Sequence, residues 1–277
     1  MLEIKSPHGK LASTARWTAG ARALENRRPD RLFADPWAEE LAGAEGMSWA
    51  EQRGEDKLAP IILRTRFFDD FLLHTLQQEQ ARQVILLGAG LDTRAFRLDW
   101  PPNTCLYELD QPAVLQHKEQ VLSAAGAAPA CDRRTIRIDL TAPWEEALLA
   151  SGFDSHQPSI WLLEGFLFYL ATPDINHLID RVTGLAACES WIGFDIVNIQ
   201  VLTSPWTRPW IEMQAQLGAP WLGTMDDPLV FMEQRGWSAS LSQAGAADAN
   251  HGRWQLPVIP TGMPDMPHNW FVTAQRI

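Results

Sequence analysis

From residue 83 onward the apolar residues gather into short runs separated by polar, turn-forming stretches. The runs are QVILLG (83–88), TCLYELD (104–110), RTIRID (134–139), SIWLLEG (159–165) and WIGFDIV (191–197). Each has the length and the β-branched or aromatic content of a strand. Helical spacing fills the gaps at 111–125, 143–150 and 174–187. Alternating β and α units of this size predict an α/β fold, a doubly wound and mainly parallel sheet with helices on both faces. QVILLG and SIWLLE are apolar almost throughout, as strands covered on both faces must be. Two later runs, WSASLS (237–242) and NWFVTAQRI (269–277), complete a seven-stranded sheet, and DDPLVFMEQRGW before them predicts a helix ending at Gly236.

The flanks have a different pattern. Residues 10–28 read as a helix, followed by RPDRLFADP, which Pro29 and Pro36 bracket, with Pro36 suited to the first turn of a further short helix. Residues 58–79 place Ile62, Phe67, Phe71, Leu72 and Leu76 at helical spacing. Residues 198–225 are rich in Trp, Pro and Gly and only weakly periodic. The expected organisation is a single domain over 1–277: a helical cap (1–80), a cofactor-binding core (83–197), an insertion serving as a substrate lid (198–225), and a closing helix and strands (226–277). A final strand laid antiparallel into a parallel sheet is the order of small-molecule methyltransferases. Dinucleotide-binding folds continue instead with another parallel strand.

Composition narrows the classes. A length of 277 residues suits one α/β domain with extra helices, and 46% apolar with 21% charged residues is ordinary globular usage. No apolar run approaches the ~18–20 residues of a membrane span. The opening MLEIKSPHGK has no apolar core of the secretory kind. Cys105, Cys131 and Cys188 have the spacing of neither a disulfide framework nor a zinc site, so reduced thiols in a cytoplasm are expected and no metal is. A net charge of −11 argues against nucleic acid as a partner, although Arg16, Arg22, Arg27, Arg28 and Arg31 leave room for a local basic patch. Thirteen tryptophans stand against two tyrosines, and seven of them lie between 191 and 270, where they can line an aromatic pocket or fill core.

The chemistry centres on VILLGAGLDTRAFRL (84–98). Gly88 and Gly90 allow close backbone approach to a ligand, but Thr93 stands where a pyrophosphate-binding loop needs its third glycine. A ligand without phosphates has less need of it. Asp110 ends the second strand about 20 residues beyond the glycines, the place of an acid that accepts from ribose hydroxyls; Glu108 points to the same side. Asp139 and Leu140 end the third strand and can contact adenine. Glu164 follows Trp-Leu-Leu and must either lie at the ligand edge of the sheet or be expensively buried. Adenosine contacts without a phosphate cradle suggest S-adenosylmethionine, whose carboxylate needs a cation such as those of Arg64-Thr65-Arg66.

STARWTAGARALENRRPDRLFADPWAEEL, RTRFFDDFL, VILLGAGLDTRAFRL, YELDQP and WLLEGFLFYL, in this order over roughly residues 11–170, resemble the leucine carboxyl methyltransferase-like family. The likeness is strongest to its bacterial branch of polyketide O-methyltransferases. The resemblance implies a Rossmann-like class I methyltransferase fold and an S-adenosylmethionine site. In that site Arg16 and Arg66 would hold the methionine carboxylate, and Gly88, Ala89 and Gly90 the loop. Asp110 and Gln111 would serve the ribose, Asp139 and Leu140 the adenine, and Glu164 the amino-acid end beside the acceptor.

The implied reaction is in-line transfer of a methyl group to oxygen, with alignment and exclusion of water as the main contribution of the protein. An acceptor carboxylate needs no base, whereas a phenol, titrating near ~10, does. Glu164, Tyr169 and His251 are the candidate catalytic contacts; His156 and His268 are open alternatives. The partner expected is a small-molecule acceptor, polyketide-like, over which Trp206, Trp210 and Trp221 can close. The rivals are a carboxyl methyltransferase of a protein C-terminus, an NAD-dependent dehydrogenase, and a cofactor-binding module without transfer.

Overall fold

The computed structural model describes residues 8–79, 81–263 and 265–277. The first seven residues, which make up most of the stretch read as non-secretory, lie outside the described residues. Three helices come first: α1 (His8–Asn26), α2 (Ala38–Glu51) and α3 (Glu55–Gln78). The core then alternates β1 (Gln83–Leu87), α4 (Arg94–Arg97), β2 (Cys105–Asp110), α5 (Pro112–Ala124), β3 (Asp132–Arg137), α6 (Trp144–Ala150), β4 (Ser159–Leu163), α7 (Thr172–Leu185) and β5 (Trp191–Val197). It is followed by α8 (Ile199–Thr203), α9 (Arg208–Gln216), α10 (Pro228–Glu233), β6 (Trp237–Gln243) and β7 (Asn269–Arg276).

The seven strands form one sheet in the order β3-β2-β1-β4-β5-β7-β6. Strands β1 to β5 are parallel, and β7 lies antiparallel between β5 and β6. The strand order reverses at β1 and β4, which pair directly, so their carboxyl ends open the crevice where such sheets bind ligands.

Alternation along each strand builds a core on either face. Ile85, Leu87, Tyr107, Trp161 and Leu163 pack on one side with Trp144, Leu148 and Ile179 of α6 and α7. Val84, Leu86, Leu106, Ile160 and Leu162 pack on the other with Leu41, Phe68, Leu72 and Leu76 of the helical cap. Two glycines seat the cap. A Cβ at Gly20 would lie 2.2 Å from the Gly46 carbonyl oxygen, and one at Gly46 would lie 2.3 Å from that of Arg16. Helices α1 and α2 therefore touch backbone to backbone, which fixes where the Thr14–Thr18 face of α1 meets the sheet edge.

The 198–225 insertion contains two helices that its weak periodicity hid. The inward position of α9 is Gln214, buried, where a periodic apolar pattern would place an aliphatic residue.

Candidate active site

The carboxyl ends of β1, β2 and β4 open into a cavity of about 690 Å³, roofed by α1, α2, α9 and residues 218–222. Its floor begins at the glycine loop. Gly88 and Gly90 have φ of 72° and 49°, a region that favours glycine. A Cβ at Gly88 would also meet the Phe166 ring at 2.8 Å. Asp110 shapes this loop: one carboxylate oxygen accepts from the Gly90 N–H at 2.6 Å and the other from the Gln111 N–H at 2.6 Å. Burial pushes the Asp110 carboxyl up, against the pull of those two N–H donors.

The helix after the loop is the single turn α4, too short to aim a macrodipole at a pyrophosphate. Thr93, the residue in place of a third glycine, has a specific use. Its hydroxyl donates to Asp35 Oδ2 at 2.7 Å, and the same oxygen takes Arg22 Nε at 2.8 Å. Arg22 then reaches back to the Leu91 carbonyl at 2.7 Å. The loop is thus tied to FADP of the cap by buried bonds.

Behind the floor lies a chain of buried ion pairs drawn from RTRFFDD, DTRAFR and EG. Arg94 donates from Nε to Asp69 at 2.6 Å, pairs with Asp92, and lies 2.7 Å from Glu164 Oε2. Arg97 binds Asp69 with two nitrogens, at 2.6 and 2.8 Å. Arg64 donates to Glu164 Oε1 at 3.0 Å and to Asp195 Oδ2 at 2.9 Å. The other Asp195 oxygen takes the Gly165 N–H at 2.6 Å. A Cβ at Gly165, whose φ is 67°, would lie 2.9 Å from Arg64 Nη2. Burial works against the charge on Arg64 and Arg94, but the facing carboxylates outweigh it and hold both guanidinium groups above their usual range. Burial would likewise raise Asp92, yet Arg94, Lys118 and Arg97 hold it down at about 2.

The floor includes most of the residues picked from the sequence. Gly88, Ala89, Gly90, Asp110, Gln111, Asp139, Leu140, Glu164 and Tyr169 all line the cavity. Arg66 and Arg16 do not line the cavity. Arg66 turns away from the cavity to Asp70 at 2.8 Å and the Leu32 carbonyl at 2.6 Å. Arg16 pairs with Glu45 at 3.0 Å on the outer side of α1. The arginines on the cavity are Arg22, Arg64, Arg94 and Arg181. His251 likewise lies apart: it stands 4.0 Å from Asp70, beside Arg66 and outside the cavity. His156 lies in the loop entering the amino end of β4, and His268 is buried against Trp270 with a ring nitrogen 3.2 Å from Gln243. The histidine that does line the cavity is His177 of α7, which the sequence reading passed over. Glu108, on the same strand as Asp110, is consumed by a buried pairing with Lys118 at 2.7 Å and Arg133 at 2.7 Å.

The roof is aromatic. Trp17 and Trp49 stack in parallel with ring centroids 5.2 Å apart. Phe168 and Trp221 lie 4.3 Å apart, and Trp210 meets Trp221 edge-on at 6.2 Å. Trp206, by contrast, is 73% exposed and takes no part. The Arg53 guanidinium lies 3.8 Å over Trp49 and 5.8 Å from Trp210, and Nη2 contacts Met213 Sδ at 3.1 Å. Tyr169 lies beside Thr14 and Trp221, and burial pushes its phenol up, so it stays protonated at neutral pH.

A family model described as leucine carboxyl methyltransferase matches residues 15–183. A Streptomyces coelicolor protein designated an S-adenosyl-L-methionine-dependent methyltransferase is 37% identical over 268 residues, covering 90% of this chain and 88% of its own. A Mycolicibacterium gilvum protein with the same designation is 40% identical over 224 residues, covering 76% and 74%. Among solved structures, a Thermobifida fusca protein designated a methyltransferase aligns over 99% of this chain and 100% of its own, with a TM-score of 0.61 and 17% identity. That last likeness concerns the fold alone.

Proposed function

Because the chain belongs to the leucine carboxyl methyltransferase family, we propose that it methylates an oxygen of a small, flat, apolar acceptor, with a carboxylate as the preferred target. At the coarser level it is an S-adenosylmethionine-dependent methyltransferase. The observation that carries the finer reading is one continuous cavity, running from the glycine loop to an aromatic roof. Its volume of about 690 Å³ falls within the range of small-molecule sites.

The residues present fit the cofactor. When bound, S-adenosylmethionine supplies an electrophilic methyl group on a sulfonium. Asp110 would receive the ribose, Asp139 and Leu140 the adenine, and Arg64 the carboxylate end, in place of the outward-facing Arg66. The backbone at Gly88 offers no room for a side chain, so the ligand meets bare peptide there. Glu164, held between Arg64 and Arg94, fixes the edge where the amino-acid end and the acceptor meet. The roof excludes water and aligns a planar acceptor by stacking.

The chain offers little to deprotonate a phenol. Tyr169 is itself a protonated phenol held above its usual range, hence a hydrogen-bond donor; His251 lies outside the cavity; and His177, which lines it, stands on α7 beside Thr141 and Arg181, at the end proposed for adenine and away from the roof. A carboxylate, already ionised at neutral pH, needs no base. The test is to supply methyl-labelled S-adenosylmethionine with paired aromatic carboxylates and phenols and to follow the label by mass spectrometry. Labelled methyl esters are expected. Ethers alone would overturn the carboxylate preference. No transfer to either series, with cofactor bound, would overturn small aromatic acceptors.

A further inference from the structure

Three polar atoms on the roof have no hydrogen-bond partner among the described residues: Trp221 Nε1, whose side chain lies beside the Tyr169 phenol, and two that the reaction as described does not use, on Gln214 and Trp49. Gln214 of α9 is 3% exposed and lines the cavity. Its Oε1 is sealed from solvent and has no hydrogen-bond partner among the described residues. Trp49, from α2, also lines the cavity, and its indole Nε1 is in the same condition. Buried polar atoms are normally satisfied, and one that is not destabilises the protein until something supplies the bond. Neither group sits on a loose segment. Trp49 is stacked on Trp17 and covered by Arg53, and Arg53 also contacts Met213, the residue before Gln214. Gln214 and Trp49 therefore leave two unfilled hydrogen-bonding groups in the aromatic roof.

Their chemistry specifies the occupant. The indole N–H can only donate, so it calls for an oxygen acceptor. The glutamine amide presents a carbonyl or, rotated, an NH2. A hydroxyl answers either orientation, because it both donates and accepts. We propose that Gln214, with Trp49, is the specificity-determining pair of the acceptor site and reads a hydroxyl on a planar aromatic acceptor. This rests on the reading of the cavity as a methyl-acceptor site. Arg64, Asp110 and Glu164 serve the cofactor end, and the roof pair selects among flat molecules by their oxygen pattern.

The test uses binding and stability, so its failure is separable from failure of the transfer assay. The probes are 6-hydroxy-2-naphthoate and 2-naphthoate, titrated against the whole protein in the presence of S-adenosylhomocysteine and read by quenching of tryptophan fluorescence. The wild type is expected to bind the hydroxylated probe about tenfold more tightly, the worth of one satisfied buried hydrogen bond. Gln214→Leu should bind the two probes alike. In ligand-free protein the same substitution should raise the melting temperature by about 2–4 °C, because it removes an unsatisfied group. Equal binding of both probes by the wild type, or no binding of either, would overturn the proposal. So would discrimination that survives in Gln214→Leu. A lower melting temperature, or failure to fold, would show that Gln214 supports the structure instead of reading a ligand.

Discussion

The floor and the roof of the cavity are built on opposite terms. On the floor, charge meets charge: Arg94 faces Asp69, Asp92 and Glu164, Arg64 faces Glu164 and Asp195, and Asp110 is committed to the loop it shapes. On the roof, indoles stack on one another and on Arg53, which among the described residues contacts no carboxylate, while Gln214 Oε1 and Trp49 Nε1 have no hydrogen-bond partner among those residues. The charged groups of the floor are already paired with one another; on the proposed reading, Gln214 and Trp49 of the roof are completed by the ligand. One ligand is invariant and the other is what the protein must choose, and the two surfaces are built to match.

The sharpest way to break this contrast is at Arg94. Arg94→Leu leaves Asp92 without its guanidinium partner and takes one partner from Asp69 and one from Glu164, which keep Arg97 and Arg64; removing one partner of a buried pair costs about 3–5 kcal/mol. Chemical denaturation is expected to show a loss of that size, and a loss below about 1 kcal/mol would mean the ion chain is no scaffold.

Next comes Asp110→Asn, with an expected loss of about tenfold to a hundredfold in S-adenosylmethionine affinity by calorimetry, the worth of hydrogen bonds to a charged group. The pH dependence follows from the direction of the Asp110 shift. Burial raises its carboxyl, so the ionised form is lost at a higher pH than for an ordinary aspartate near ~4. Cofactor affinity in the wild type should fall on acidification through that raised value, and Asp110→Asn should lack this fall. The stability sign is opposite. A carboxyl raised in the folded state penalises folding while ionised, and the penalty is relieved as pH drops through the folded value. Acidification in that window thus weakens ligand binding without unfolding pressure from this group.

The smallest effect belongs to Arg66→Ala. Arg66 makes an exposed pair with Asp70, so stability should change by no more than about 0.5 kcal/mol and cofactor affinity not at all. A tenfold loss of affinity would return Arg66 to the site and remove Arg64 from it.

The Arg66 case shows where the sequence stopped being readable. Strand ends were legible because β1 and β4 are continuous apolar runs, so whatever follows them, Gly88 or Glu164, must lie at the sheet edge. Asp110 was legible as the last residue of β2, and Asp139 lies two residues past the end of β3. A helix gives no such terminus. Residues 64 and 66 are about 200° apart around α3, so one of them must face out. A clue was available: Arg66 and Asp70 have the i,i+4 spacing of an ordinary solvated pair, while Arg64 falls between Ile61 and the fully buried Phe68. Arg16 is a parallel case, since the crossing of α1 on α2 turns it toward Glu45 and leaves Arg22 on the cavity. The roof was largely illegible because Trp17, Trp49 and Gln214 come from three distant helices, and Gln214 is polar where helical periodicity looks for an apolar residue.

Arg53 joins α2 to a residue 160 positions further along the chain through stacked planes and a thioether contact. Such a seam has little directional demand, so it does not dictate the sequence on its far side. The segment from 199 to 222 can therefore be rewritten, and the chamber reshaped, while the charged floor stays as it is. On the proposed reading of the cavity, acceptor range and cofactor affinity become separately evolvable traits of one chain.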